Sequence, residues 1–310
     1  MARTSGFHPG ELQAQYNARE QDIAKRNSEN VLDHLIRGAL PFVRQQTVVY
    51  VGSIDQQGQV WASMLFGAPG FLQPSEDTHS LTVDLRQVAM QKRDPLWKNI
   101  RHDGRLGLLL LETQSRRRLK INGTASVGGD RLHLQIEESV PICPRYIQRR
   151  NISLADPGQQ AMPGSVRDGM VPGAEQLQSI ANADTFFLAS AHATHGADCS
   201  HRGGPPGFVR VLENGVLRIP DYNGNSMFNS FGNFLLDPQA GLLFPDYQRR
   251  IMLQMNGTVE MFWDQPDEDN FTAGTGRFWE FKVGSWIETE LPQALRTAFV
   301  DYSPFLPKAK

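Results

Sequence analysis

The sequence predicts a mainly β fold of two related halves in tandem, each a small antiparallel barrel with a few helices. Sliding the chain against itself by 134 positions aligns residues 99–124 with residues 233–258 without a gap. Of the 26 pairs, 11 are identical, where chance supplies about one or two. Both halves also consist of short β-branched and aromatic runs separated by turn residues, which is typical of antiparallel barrels.

The identical pairs follow the end of a predicted helix and the hairpin after it. They are Asn99/Asn233, Asp103/Asp237, Gly107/Gly241, Leu108/Leu242, Leu109/Leu243, Gln114/Gln248, Arg116/Arg250, Leu119/Leu253, Asn122/Asn256, Gly123/Gly257 and Thr124/Thr258. With two copies and so long a period, the duplication indicates a pair of domains and excludes a solenoid.

Composition limits the classes of protein to which the chain can belong. A length of 310 residues favours two domains, and 40% apolar with 21% charged residues is ordinary for a soluble globular chain. A net charge of −2 argues against a nucleic-acid partner. Cys143 and Cys199 are too few for a disulfide framework. No apolar run is long enough to span a membrane, and no signal peptide is visible. We therefore expect a cytoplasmic protein with neither nucleic-acid nor membrane partners.

The chain divides into five predicted segments. They are an N-terminal arm or lid over residues 1–30, a first barrel over 31–140, a connector over 141–183, a second barrel over 184–290 and a tail over 291–310. The arm is predicted to hold one helix over 11–27, and a short helix is predicted over 32–40. The connector is rich in proline and glycine and lacks periodicity, so at most one short helix is expected there.

In the first half, β-branched runs on either side of a turn at 55–58 predict a hairpin. Asp94-Pro95 is a helix start, with Asp as N-cap and Pro at the first helical position. The apolar run 106–111 is short enough for a buried strand. The predicted strands are 47–54, 60–66, 80–85, 106–111, 119–125 and 132–136.

The second half repeats this order. A polar loop is predicted over 191–207, Asn214-Gly215 predicts a hairpin turn, and 227–236 is predicted to be helical. The predicted strands are 184–190, 208–212, 216–219, 241–244, 251–260 and 278–283.

The first candidate site is the start of the second-half helix. Asn223-Gly224 forces a turn, and Asn225 or Ser226 is a good N-cap. The first-turn amides then carry the positive end of the helix dipole and form an anion site, with Asn229 and Ser230 as neutral donors nearby. The matching first-half helix starts with Asp94, whose carboxylate would fill and repel the same site. A phosphate is therefore expected in the second half only. An ordinary capped helix is equally compatible with the sequence.

The second candidate is the glycine- and proline-rich stretch 200–207, which holds Ser200, His201 and Arg202. A stiff loop would fix the guanidinium for a bidentate contact with phosphate or carboxylate. The spacing is not that of a P-loop. A rigid surface turn with a solvated arginine is the alternative. His192, His195, Asp198, Cys199 and His201 are all metal-capable, but their spacing matches no zinc pattern, so no metal is expected.

A third candidate is the strand face that carries Gln254, whose counterpart in the first half carries Arg118 and Lys120. We interpret Gln254 as a contact to a ligand ring. For Arg118 and Lys120, a solvated strand face is the preferred interpretation over contact with an anionic ligand. The sequence contains no nucleophile elbow, dinucleotide fingerprint or metalloprotease helix, so no catalytic residue is named.

Several motifs carry a family resemblance. The order of SHRGGPPGFVRV, DYNGNSMFNSFGN and DPQAGLLFPD resembles the pyridoxamine 5'-phosphate oxidase-like FMN-binding split-barrel family. FHPGE, DPLWKNIRHDGRLGLLLLE and CPRYIQRR are similar to a tandem subgroup of it. The resemblance covers most of the chain and implies a six-stranded Greek-key split barrel in each half. It also implies FMN at the interface between two barrels, so that one chain forms a pseudo-dimer.

The resemblance places the phosphate-binding segment on residues 225–230, with Arg202 supplying positive charge, and the flavin-ring strand on Gln254. CPRYIQRR would close the site through Arg145, Tyr146 or Gln148. It implies an FMN-dependent oxidoreductase acting on a small-molecule substrate, with a nicotinamide or protein electron donor, and leaves a homodimer open. The alternative is a non-catalytic flavin- or small-ligand-binding protein, or a module that docks with a redox partner. The oxidase's C-terminal substrate motif is absent near residues 277–286, so oxidation of pyridoxamine phosphate is not expected.

Overall fold

The computed structural model describes residues 6–89, 91–154 and 165–307. In these ranges no helix is long and apolar enough to cross a bilayer. The helices are α1 (Pro9–Ala18), α2 (Gln21–Ser28), α3 (Leu40–Arg44), α4 (Leu96–His102), α5 (Ala174–Asn182) and α6 (Asn229–Leu236).

The strands of the first half are β1 (Val48–Ile54), β2 (Val60–Gly67), β3 (Leu72–Pro74), β4 (Ser80–Asp84), β5 (Val88–Ala89), β6 (Arg105–Glu112), β7 (Arg117–Gly128) and β8 (Arg131–Ile142). Those that follow are β9 (Arg149–Leu154), β10 (Val166–Gly169), β11 (Thr185–His192), β12 (Gly196–Gly203), β13 (Arg210–Val211), β14 (Leu217–Pro220), β15 (Gln239–Asp246), β16 (Ile251–Phe262), β17 (Phe278–Glu290) and β18 (Leu295–Asp301).

The two halves have the same sheet topology. The first sheet runs β3-β4-β8-β7-β6-β1-β2-β5, and the second runs β13-β14-β17-β16-β15-β11-β12, with β10 added beside β17. Seven strands therefore correspond one to one, and their pairings are antiparallel. Each sheet curls into a half-barrel. The predicted mainly β fold of tandem split barrels is confirmed, but each described sheet has eight strands where six were expected.

Central strands are covered on both faces, which explains their apolar runs. In β6, Leu108 and Leu110 pack into the first-half core, while Leu109 and Leu111 pack into a third core between the halves. In β15, Leu243 alone joins that interface core, whereas its neighbours pack within the second half. The two barrels are thus held face to face by apolar burial.

Duplicated glycines let the halves approach backbone to backbone. A Cβ on Gly107 would lie 2.6 Å from the Cα of Asp198, and a Cβ on Gly241 would lie 2.7 Å from the backbone of Trp61 and Ala62. These contacts are reciprocal, since each glycine belongs to one half and its neighbours to the other. The identical pair Gly107/Gly241 therefore marks the interface between the barrels.

The N-terminal arm packs on the second half although it precedes the first. The Gln15 side-chain amide donates to the Met227 carbonyl at 3.1 Å, and that of Asn27 donates to the Asn225 carbonyl at 2.7 Å. The one predicted helix over 11–27 is two helices, because Arg19 ends α1 in the left-handed conformation with φ of 59°.

Other elements differ from the sequence prediction. The predicted loop 191–207 is mostly strand, since β11 and β12 pair across a tight turn at 193–195. The short helix predicted over 32–40 instead starts at Leu40, after a 3-10 turn. The connector holds β9, β10 and α5, while residues 155–164 of it lie outside the described residues. The tail contains β18, which pairs with β9.

Gly241→Ala tests the interface contact. We expect the free energy of unfolding to fall by about 2–3 kcal/mol, because the added methyl group meets backbone that no side-chain rotation can move aside. Urea denaturation measures it. Gly128→Ala is the matched control, since a Cβ there meets nothing within 4 Å. Equal stability of the two variants would contradict the assignment.

Candidate functional site

A cavity of about 130 Å³ lies where the start of α6 meets β12 and, from the other half, β7. It gathers most of the residues predicted from sequence, although they come from distant parts of the chain. Its walls include Arg145, Tyr146, Ser200, His201, Arg202, Asn225, Ser226, Asn229 and Ser230. Of the predicted site residues, Gln148 and Gln254 lie elsewhere.

The start of α6 carries no side-chain cap. The helix begins at Asn229, and the residue before it, Phe228, is in the left-handed conformation with φ of 57°. The prediction of Asn225 or Ser226 as N-cap is wrong, since the Asn225 side chain instead accepts the Met227 amide at 3.2 Å within the preceding turn. Because the first turn lines the cavity, its uncapped amides and the helix dipole favour an anion there.

Arg118 projects from β7 into this cavity without a carboxylate partner among the described residues. Its Nη1 atom contacts His201 Nδ1 at 3.5 Å, and its buried Nε has no hydrogen-bond partner. Burial, with the charge of Arg202 nearby, lowers the pKa of Arg118 to about 10. The guanidinium is therefore still protonated at neutral pH, and an uncompensated cation sits in the cavity wall.

His201 and Arg202 add further unsatisfied donors. Burial and then the charges of Arg118 and Arg202 hold the pKa of His201 well below its usual range, so the ring is neutral. Because an arginine can only donate, its contact with Nδ1 leaves the ring proton on Nε2, which has no partner in the described structure. The buried Nε of Arg202 also lacks a hydrogen-bond partner. These three unsatisfied groups are donors, which is the pattern an acceptor-rich anion requires. Asp198 Oδ2 is an unsatisfied acceptor in the same lining, but the charge of that carboxylate is offset by its ion pair with Lys120.

Arg202 is held in place by a carboxylate that is shared with a second arginine. Asp221 accepts from Arg202 at 3.1 Å and from Arg277 at 3.0 Å, and Arg277 also binds Glu20 of the arm at 2.9 Å. Burial raises the pKa of Asp221, while the two arginines oppose that rise. The arm, β14 and β17 are thus tied together behind the cavity.

Lys120 is buried, so its prediction as part of a solvated strand face is wrong. Only 3% of it is exposed, and it forms an ion pair with Asp198 and donates to Asn229 Oδ1 at 3.2 Å. Asn229 in turn donates to Glu11 of the arm. The second half covers this face of β7, which strand alternation alone does not reveal.

Gln254 occupies the equivalent position on β16 but contacts no cavity at α6. It is fully buried, and its amide nitrogen donates to the Ala62 carbonyl at 2.8 Å, Ser63 Oγ at 3.2 Å and Asp94 Oδ2 at 3.3 Å. Its predicted role as a ring contact is therefore wrong at this site, because its side chain crosses to the first half.

Asp94 fills the first-half counterpart of the anion site. Its Oδ1 accepts the Leu96 amide at 2.9 Å and Ser63 Oγ at 2.6 Å, so it caps α4 as predicted. Burial raises its pKa to about 6, against the hydrogen bonds that lower it. One helix start is closed by its own carboxylate, and the other is open.

A second cavity of about 440 Å³ adjoins the first and shares Lys120 and Asn229 with it. Its other walls are the arm, through Phe7 and residues 28–33, and β8, through Glu137, Glu138 and Val140. We define this space as the outer cavity and the 130 Å³ space as the inner cavity.

Tyr146 and Tyr222 face each other at the edge of the inner cavity, with ring centroids 5.2 Å apart. Tyr146 has a left-handed backbone with φ of 65°, which is uncommon for a tyrosine. Gln148 of the same motif lies elsewhere: it is buried, and its amide donates to the carbonyls of Tyr146, Asp184 and Gly204. Tyr222 and Arg277 were not predicted as site residues; they lie in the segments after β14 and before β17, and tertiary contacts bring them to the cavity.

The metal-capable residues of 192–201 do not converge. Cys199 is buried in the interface core, Asp198 pairs with Lys120, and the rings of His192 and His195 lie 4.3 and 6.0 Å from that of His8. Within residues 6–89, 91–154 and 165–307, no group of three or more His, Cys, Asp or Glu side chains is arranged to hold a metal ion.

Comparisons with known proteins give structural matches only. No family model and no curated protein matches. Solved structures that match include a Lactobacillus delbrueckii protein provisionally described as a pyridoxamine 5'-phosphate oxidase, with 15% identity, 37% of this chain and 93% of that chain covered, and a TM-score of 0.31. An FAD-binding protein from Mesorhizobium loti has 11% identity, 41% and 98% coverage, and a TM-score of 0.30.

A Clostridium acetobutylicum protein of the pyridoxinephosphate oxidase family, related to general stress protein 26, has 11% identity, 41% and 92% coverage, and a TM-score of 0.26. Each of the three is matched over nearly its whole length.

Asp94→Asn tests the buried carboxyl through pH. Because the folded pKa of about 6 lies above the usual value of 3.8, the folded state holds a proton between these pH values that the unfolded state lacks. Wild type should therefore gain stability relative to Asp94→Asn by about 2–3 kcal/mol as pH falls from 7 to 4. Urea midpoints at each pH measure the difference. A pH-independent difference would show that Asp94 titrates normally.

Proposed function

We propose that the chain binds FMN, with the phosphate in the inner cavity at the start of α6. The observation that carries this proposal is the set of buried donors without acceptors: Arg118 Nε, Arg202 Nε and His201 Nε2. A phosphate monoester brings several strong acceptors and a charge that offsets the unpaired Arg118 guanidinium. The uncapped first turn of α6 adds backbone donors and a favourable dipole.

The sizes of the two cavities fit the two parts of such a ligand. The inner cavity, at about 130 Å³, has room for a phosphate but not for a tricyclic ring. The outer cavity, at about 440 Å³, lies within the range of small-molecule pockets, roughly 300–1,000 Å³. We infer that a ring joined to the phosphate extends past Lys120 and Asn229 into the outer cavity.

The chain's own residues would bind and orient the ligand. Arg118 and His201 donate to the phosphate, and the paired carboxylate Asp221 fixes the direction of Arg202. Lys120, which is paired with Asp198, lines both cavities and gives the ligand a polar surface where they adjoin. The arm forms one wall of the outer cavity through Phe7, Ser28 and Glu29.

We further propose that the protein is an oxidoreductase acting on a small molecule. Bound FMN supplies hydride and single-electron chemistry, and the protein supplies binding and orientation. The proposal of oxidoreductase activity rests on the sequence resemblance. Because the oxidase's C-terminal substrate motif is absent, we expect a substrate other than pyridoxamine phosphate. A flavin that binds without turnover is the competing function.

Reduction of the bound flavin separates these functions. Under anaerobic conditions we expect NADH or NADPH to bleach the flavin absorbance of the loaded protein within minutes, because the flavin accepts hydride from the nicotinamide. Free FMN with the same nicotinamide is the control. A flavin that stays oxidised with both nicotinamides, and with a reduced protein donor, would contradict catalysis and favour a binding role.

Arg118→Gln tests the phosphate contact. We expect the Kd for FMN to rise roughly 10- to 100-fold, since one charged hydrogen bond is worth about 1.5–3 kcal/mol. Quenching of flavin fluorescence measures it. The matched control is Arg117→Gln, because Arg117 is on the same strand but exposed and paired with Glu112. If both variants bind FMN as tightly as wild type, the phosphate does not lie at Arg118.

A further inference from the structure

Imidazole rings from distant parts of the chain stack where the arm meets the second half. His8 precedes α1, and His192 ends β11; their ring centroids are 4.3 Å apart and their planes are 27° apart. His195, in the turn after β11, lies 6.0 Å from His8 and 4.7 Å from His192 by the same measure. None of the three rings lines the inner or outer cavity, so the proposed phosphate contact does not account for them.

The hydrogen bonds of His8 fix its charge state. Its Nδ1 accepts the backbone amides of Gly10 and Glu11 at 3.2 and 3.4 Å, which caps α1. Its Nε2 lies 3.0 Å from Asn233 Oδ1 on α6. Because the Asn233 amide nitrogen donates to Ser190 Oγ at 2.9 Å, its oxygen is the acceptor and His8 Nε2 carries the proton. This ring is therefore neutral, and a second proton could enter only at Nδ1, where it would break the cap.

His192 is held in the same way. Its Nδ1 accepts the backbone amides of Thr194 and His195 at 3.2 and 3.3 Å, within the turn between β11 and β12. A proton at that nitrogen would remove both hydrogen bonds. It would also place a positive charge 4.3 Å from the His8 ring. The arrangement of the two stacked rings thus requires both of them to be neutral.

Glu11 offsets the charge of a protonated stack only in part. Its Oε2 lies 3.6 Å from His8 Nε2, which is the nitrogen that already carries a proton, and it accepts the His8 backbone amide at 2.9 Å. Its Oε1 accepts from Asn229. One carboxylate can offset one imidazolium, but a second cation in the stack is left to repel the first.

Charged groups also approach the rings from β6. Arg105 donates to the Ala193 carbonyl in the turn, and a Cβ on Gly196 would lie 2.5 Å from the Arg105 Cβ. Asp103 pairs with Arg105, and the charge of Glu137 on β8 also acts on that guanidinium. The eight residues of α6 bring no charged side chain. Asp103 is thus occupied by Arg105 and does not stabilise a protonated ring.

α1 is docked where it reaches the candidate site. Gly10 meets Gly232 of α6 backbone to backbone, since a Cβ on Gly10 would clash with the Gly232 carbonyl. Glu11 binds Asn229 in the first turn of α6, and Phe7 lines the outer cavity. A change in the contact between the arm and α6 therefore reaches both cavities.

We propose that His8 and His192 form a pH-sensitive contact that holds the arm on α6 only while both rings are neutral. Histidine ordinarily takes up its proton at about pH 6.5. Separated rings accept protons below that pH and stacked rings do not, so docking of the arm is fully stable above about pH 6.5 and weakens as the pH falls. Release of a ligand from the outer cavity at acidic pH would follow, and this consequence alone rests on the proposed FMN function.

Hydrogen–deuterium exchange of the ligand-free protein tests the proposal, with labelling times scaled to the intrinsic exchange rates at pH 7.5 and pH 5.5. We expect the protection of the α1 amides to fall about tenfold or more at the lower pH, because each proton refused by the docked rings weakens docking by up to about tenfold per pH unit. Amides of β6 and β7 should keep their protection, since the core of the first barrel does not include these rings.

The double variant His8→Asn/His192→Asn is expected to keep α1 protected at both pH values. Asparagine offers an oxygen in place of Nδ1, so it can cap α1 and accept the turn amides without titrating. His102→Asn is the matched control, because His102 is an exposed histidine on α4. That variant should keep the wild-type pH dependence.

Equal protection of α1 at both pH values in the wild-type protein would overturn the proposal. So would a pH dependence that survives in the double variant, or a loss of protection spread over both barrels. FMN titrations at the same two pH values test the consequence separately: the wild-type Kd should rise about tenfold more than that of the double variant. Protein that takes up no FMN at either pH would contradict the proposed function and leave the exchange test intact.

Discussion

Two buried side chains that cross the interface between the barrels set the asymmetry of the molecule. Lys120 of the first half reaches Asp198 of the second, and Gln254 of the second reaches Ser63 and Asp94 of the first. Breaking a buried ion pair leaves an uncompensated charge and costs about 3–5 kcal/mol. The close approach of the two barrels at Gly107 and Gly241 removes polar backbone and side chains from water. That approach therefore depends on this polar pairing.

One duplicated framework therefore produces two different helix starts. In the first half, Asp94 caps its own helix and is satisfied by neutral donors. In the second half, Phe228 stands at the position of the capping carboxylate, and the cations Arg118 and Arg202 line the cavity at the open first turn. The N-terminal arm then binds Asn229 through Glu11, so the first segment of the chain covers the site in the last domain.

Some features of this arrangement depend only on residue type and spacing, and the sequence predicts them. The duplication and the Asp94 cap follow from residue type and spacing, and an anion at the second helix start stays a prediction. Strand alternation shows which residues share a face but not what covers that face. It therefore does not predict the surroundings of Lys120, Arg118 and Gln254. Polar side chains dominate residues 191–207 and predict a loop. Backbone pairing and the covering barrel instead make this segment a hairpin. Tyr222 and Arg277 enter only through tertiary contacts.

The most direct test of this account is a crystal structure of the protein grown with FMN. We expect one phosphate per chain, with its oxygens within hydrogen-bond distance of Arg118, His201 and the first-turn amides of α6. A phosphate beside Asp94 at the start of α4, or one bound away from both helix starts, would contradict the asymmetry on which the proposed function depends.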